Sequence, residues 1–238
     1  GVSTGLISRA LAKAFELDDT LVVQRLMGGF TPSAAAFVAL SRPQEPEEQQ
    51  SSGVPYPFFL ASPLEPERLA DTQASTWQVE WKWDGIRGQM IHRGSGVYLW
   101  SRGEELVNDS FPELVEVATA LPRGSVLDGE VICWRKGEAT PLGFEQLQRR
   151  LGRKTVGSTL KRECPMRFIA YDLLESSGID IRQRSLAERQ QLLDDVLDHV
   201  DHDEAWRLHR SPSWVLESWR ALEEQRNNAR EHKAEGLM

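Results

Sequence analysis

Between Thr4 and Phe15 the apolar residues Leu6, Ile7, Ala10, Leu11, Ala14 and Phe15 recur at the spacing of one helical face. A second helix is expected from Asp18 or Asp19 to near Gly28, with Gly28-Gly29 ending it rather than forming a phosphate loop. Thr31-Pro32 then open a third. Three short helices bury too little for an independent core, so residues 1–41 are read as the end of a larger helical domain. Residues 42–55, RPQEPEEQQSSGVP, are rich in Pro, Glu, Gln and Ser, the composition of a flexible linker.

After the linker the pattern changes to strands. Trp77 to Lys82 is expected as one; Ile86 to Arg93 and Val97 to Ser101 flank Gly94-Ser95-Gly96, a hairpin turn. Val126 to Trp134 and Met166 to Leu174 are the next two strands. Helices are expected from a cap at Asp109 or Ser110 through Leu121, from Phe144 to Leu151, and from Ser213 to Glu231. Ser185 followed by Glu188 forms a capping box ahead of a helix to His199. Hairpins interleaved irregularly with helices point to an α+β domain with largely antiparallel sheets over residues 56–238.

The chain has 238 residues, 40% hydrophobic and 27% charged, which excludes disorder as the dominant state. No apolar run approaches membrane-spanning length, and the N-terminal residues lack a secretory pattern, so a membrane role is not expected. The two cysteines, Cys133 and Cys164, form neither a metal-type pair nor a disulfide framework. A net charge of −8 means that any nucleic-acid surface must gather its basic residues on one face. The densest such stretch is QRRLGRK, with Arg149, Arg150, Arg153 and Lys154, followed by Lys161 and Arg162. It suits a DNA backbone as well as it suits a solvated face. DHVDHDE, with His199 and His202, is read as an acidic helix end rather than a metal site.

The sharpest chemical feature is WKWDGIR, Trp81 to Arg87. Lys82 is the candidate nucleophile. An amine attacks phosphorus only when unprotonated, which calls for desolvation or nearby cations such as Arg87 and Arg102. Asp84 and Gly85 make the turn, Asp by bonding its own backbone and Gly by tolerating close approach.

Taken in order, EWKWDGIR, WSRG, LDGEV, FIAYDLL and the terminal EGLM resemble the successive nucleotidyltransferase motifs of ATP-dependent DNA ligases, over about Pro55 to Met238. The helical start resembles the end of that family's DNA-binding domain. The resemblance implies that Lys82 is the adenylated lysine, that Glu80 lies beside the adenine and Tyr171 stacks on it, and that Arg87 and Arg102 contact phosphate or ribose. Glu130 would accept a ribose hydroxyl or help place a metal, and Glu235 would be a carboxylate for Mg²⁺. ATP and Mg²⁺ are the implied cofactors and nicked double-stranded DNA the implied partner, for a cytoplasmic, monomeric enzyme. RNA ligases and capping guanylyltransferases share the lysine strategy; a catalytically silent DNA-binding module is the alternative outside enzymes. In the family EGLM is followed by a lysine, a further lysine-bearing motif and an OB domain. Their absence from these residues implies an adenylation domain incomplete at its C-terminal side and a piece that does not seal nicks by itself.

Overall fold

The computed structural model describes residues 4–17, 19–26, 31–43, 53–65, 72–94 and 96–238. The strands are β1 (Gln78–Trp83), β2 (Ile86–Arg93), β3 (Gly96–Ser101), β4 (Ser125–Cys133), β5 (Met166–Ser176), β6 (Ile179–Asp180), β7 (Leu208–Arg210), β8 (Ser213–Val215) and β9 (Ala234–Leu237). β3-β2-β4-β5-β6 form one sheet, with β7 also on β5, and β8-β1-β9 form a second. Every pairing is antiparallel except β5 with β7, so the α+β, antiparallel expectation holds.

Alternation along the central strands divides the larger sheet into two faces. On one, Met90, Leu127, Val131 and Phe168 are buried together with Leu114 and Val117 of the helix Pro112–Ala118 and Leu193 and Val196 of the helix Leu186–Leu197. Each such side chain contributes about 1.5–3 kcal/mol by leaving water. On the other face Ile132, Ile169 and Tyr171 pack against Trp81 and Trp83 of the smaller sheet, while Ile91, Val126 and Leu174 pack beneath Tyr56. The second face is therefore where the two sheets meet.

Local signals were obeyed where a short-range bond could enforce them. The Ser185 hydroxyl accepts from the Glu188 amide at 3.3 Å and the Glu188 carboxylate accepts from the Ser185 amide at 3.0 Å, the expected capping box. Elsewhere tertiary partners overrode them. Ser213 does not begin a helix: residues 213–215 form β8, which satisfies the edge of β1 at Gln78–Glu80, and the helix is Trp219–Asn228, capped by Ser218. Neither Asp109 nor Ser110 caps the next helix. They lie in a 3₁₀ turn, and the helix starts at Pro112. Asn108 fixes that turn to β3, accepting from the Leu99 amide at 2.7 Å and donating to the Val97 carbonyl at 2.8 Å. The helix expected from Phe144 to Leu151 stops at Gln148.

At the N-terminal side, helices Thr4–Phe15, Asp19–Leu26 and Ala34–Ser41 share a small core of Ala12, Val22 and Leu40. Ser33, not Thr31, caps the third, accepting from the Ala36 amide at 3.0 Å. The expected stop at Gly28-Gly29 and residues 44–52 of the expected linker lie outside the described residues. The linker's last residues are held on the larger sheet: the Gly53 carbonyl accepts from Trp100 Nε1 at 2.7 Å and the Val54 carbonyl from Arg93 at 2.9 Å. Among the described residues no helix is long and apolar enough to cross a membrane.

Candidate active site

Where the sheets meet, a cavity of about 500 Å³ opens, lined among others by Lys82, Arg87, Arg102, Glu130, Tyr171 and Glu235. Its walls come from six strands, β1 to β5 and β9, with the loop after β3 and the segment before β1. Lys82 is on β1, opposite Gly236 of β9, while Trp83 is opposite Ala234, so Glu235 is an unpaired extra residue in β9. A bulge of this kind re-aims a side chain, and here Glu235 forms an ion pair with Lys82. Both remain about half exposed, at 48% and 45%.

The same device places Tyr171. Asp128 of β4 is opposite Asp172 of β5 while Gly129 is opposite Ala170, leaving Tyr171 as the extra residue. Its hydroxyl lies 3.5 Å from the Glu130 carboxylate, and the Arg87 guanidinium lies over its ring, 4.9 Å from the centroid. Arg87 is held there by paired bonds to Asp128, at 2.7 and 3.0 Å. Burial pushes the Glu130 carboxyl up to about 7 against the opposing charge of Arg87. Burial, with Glu130 next to it, also raises the Tyr171 phenol.

Asp84 and Gly85 line the cavity between β1 and β2. A Cβ on Gly85 would come within 2.7 Å of Glu130 Cγ and closer still to the Val131 carbonyl, so no side chain fits there.

Glu80 is not among the lining residues. It is buried on β1, and among the described residues its Oε2 has no hydrogen-bond partner, while Oε1 accepts from Gln78 at 2.8 Å. Burial raises its pKa, opposed by Ser211, Gln78 and Arg210.

The basic segment divides. Arg149, Arg153 and Lys154 are exposed, although Arg149 is paired with Glu163 at 2.6 Å. Arg150 corrects the expectation of a DNA contact: its guanidinium is fully buried, bonded to both carboxylate oxygens of Glu113 at 2.8 and 2.7 Å and to the Ser110 and Cys164 carbonyls. A cation so enclosed cannot reach a phosphate backbone.

The cavity region also includes residues that the motifs do not single out, among them Asp128, Phe59 and Leu60. Asp128 stands inside the LDGE motif and holds Arg87. Phe59 and Leu60 line the cavity from the segment before β1, where consecutive apolar residues in a loop were the available signal.

A family model described as the ATP dependent DNA ligase domain matches residues 58–238. A probable DNA ligase of Koribacter versatilis is 35% identical over 200 residues, which are 82% of this chain and 34% of that protein. The chain thus spans about a third of that curated relative. The ligase domain of LigD from M. tuberculosis matches in structure with a TM-score of 0.51 and 27% identity, covering 71% of this chain and 49% of that one. A mycobacterial DNA ligase D complexed with ATP and MES matches with a TM-score of 0.50 and 25% identity, over 68% of this chain and 46% of that one. Two largely antiparallel sheets closing on a lysine-bearing cavity, in a segment that this family model covers throughout, carry one conclusion: the chain belongs to the ATP-dependent DNA ligase family.

Proposed function

We propose that Lys82 attacks the α-phosphate of ATP, forming a phosphorus–nitrogen bond as the bond to pyrophosphate breaks; that this bond then breaks as the AMP passes to the 5′-phosphate of a DNA nick; and that the 3′-hydroxyl attacks that phosphate, expelling AMP and sealing the strand. The observation that carries this reading is the convergence of Lys82, Arg87, Arg102, Glu130, Tyr171 and Glu235 on one cavity from separate segments of the chain. A similar mycobacterial ligase, solved with ATP, supports the nucleotide.

The roles follow from the chemistry of each group. Glu235 holds Lys82 in place and is the group in contact with it that can take the ammonium proton, which must leave before the nitrogen has a lone pair for attack. Arg102 offers a permanently charged, forked donor to phosphate. Tyr171 and Arg87 form one surface against the nucleotide. Glu80 stands two residues before Lys82 on β1, on the same side of the strand, and in this reading is the acceptor for the exocyclic amino group of adenine. Gly85, having no Cβ, lets the turn sit against Glu130 and Val131 of β4, with Asp84 beside it at the cavity.

Mg²⁺ fits this site. It takes one or two carboxylates and completes its shell with phosphate and water, and Glu130 and Glu235 are two carboxylates lining the same cavity; when bound, it neutralises phosphate charge. Nicked duplex would lie across the exposed Arg149, Arg153 and Lys154, with Leu151 between them at the cavity edge.

The test is to incubate the natural gene product with Mg²⁺ and ATP labelled at either the α- or the γ-phosphate, with GTP in parallel. The α-label from ATP should stay on the protein and move to a nicked duplex. Retention of the γ-label, or labelling by GTP in preference to ATP, would contradict the reading.

A further inference from the structure

Phe59 is 80% exposed and Leu60 is 69% exposed, yet both line the cavity that holds Lys82 and Tyr171. Their position is set by a buried anchor just upstream. The Tyr56 amide donates to the Gln89 side chain at 2.8 Å, and the Tyr56 hydroxyl donates to Glu175 at 2.6 Å. Glu175 is also paired with Arg93, and both of these side chains are buried in the larger sheet. This polar network serves none of the steps above, but it fixes the chain three residues before Phe59. A firmly held strap that ends in an exposed aromatic ring at a cavity mouth presents that ring to whatever enters.

The ring's use follows from the state of the other aromatic wall. The Arg87 guanidinium already lies over Tyr171, so one face of that ring is taken, whereas most of the Phe59 surface is open. An aromatic side chain stacks on any base through its π-face and gains by leaving water as it does so. We propose that Phe59 contacts the nucleobase and is a positioning residue for the adenylation step, held in place by the Tyr56–Glu175–Arg93 anchor; this rests on the nucleotide reading of the cavity.

The test is titration calorimetry on the 238-residue chain with two probes: α,β-methylene-ATP, which cannot release pyrophosphate, and inorganic tripolyphosphate, which has no base. Phe59→Ala should weaken the nucleotide analogue about tenfold or more, the scale of losing one base–aromatic stack, and leave tripolyphosphate affinity unchanged. Phe59→Trp should restore the nucleotide affinity. Because the residue is so exposed, neither change should disturb folding, and unfolding curves check this. Equal nucleotide affinity in wild type and Phe59→Ala, or equal losses for both probes, would overturn the inference while leaving nucleotide binding intact. Failure of the wild type to bind the nucleotide analogue would overturn the nucleotide reading itself, and this inference with it.

Discussion

Two ion pairs at the larger sheet and one on the smaller sheet work in opposite ways. Around the larger sheet Arg150–Glu113 and Arg93–Glu175 are buried pairs in which each guanidinium has further backbone acceptors. On the smaller sheet Lys82–Glu235 is a half-exposed pair at a cavity mouth. A buried pair cannot exchange partners without leaving a charge in a low-dielectric interior; an exposed pair can. The first kind therefore holds the scaffold. The second kind is free to meet a substrate.

The comparison breaks first, and by the most, at Arg150. Arg150→Ala leaves the Glu113 carboxylate and two backbone carbonyls without their cation, and should cost about 3–5 kcal/mol in urea unfolding. A loss below 1 kcal/mol would mean that the pair is dispensable. Next comes Glu130. Its folded pKa of about 7 lies above the ordinary 4.5, so the stability its neutral form provides is complete below about pH 4.5 and lost as pH rises through 7. Glu130→Gln should stabilise the chain by up to about 3 kcal/mol at pH 8 and change little at pH 4, read from unfolding midpoints across pH. Glu80 carries a raised pKa for the same reason, so Glu80→Gln should show the same sign of pH dependence. A gain that grows toward acid pH would contradict the burial account of either carboxylate.

The smallest expected effect sharpens the comparison from the other side. Lys82→Ala should alter stability by about 1 kcal/mol or less, because a half-exposed pair contributes little. A loss matching that of Arg150→Ala would mean that Lys82 is structural.

Much of this fold is legible in the sequence. The hairpin of Ile86–Arg93, the strands around LDGE and AYDLL, and the Ser185 capping box are encoded within a few residues each, by alternation or by one local bond. β7, β8 and β9 have three or four residues each and exist only because β5 and β1 offer unpaired edges far away in sequence. The bulges that turn Tyr171 and Glu235 are likewise properties of register between strands, which no single segment carries. The same limit separated Arg149 from Arg150. Adjacent arginines in a basic run look alike, and the partner that buries one of them, Glu113, is 37 residues away.

The most direct measurement of the central claim, that the exposed charge of the smaller sheet is the reactive one, is to map the peptide that carries label after reaction of the natural gene product with α-labelled ATP and Mg²⁺. All stable label is expected on Lys82, and none in Lys82→Arg, whose guanidinium stays protonated and lacks the lone pair the attack requires. Label on another lysine, or undiminished labelling of Lys82→Arg, would contradict it.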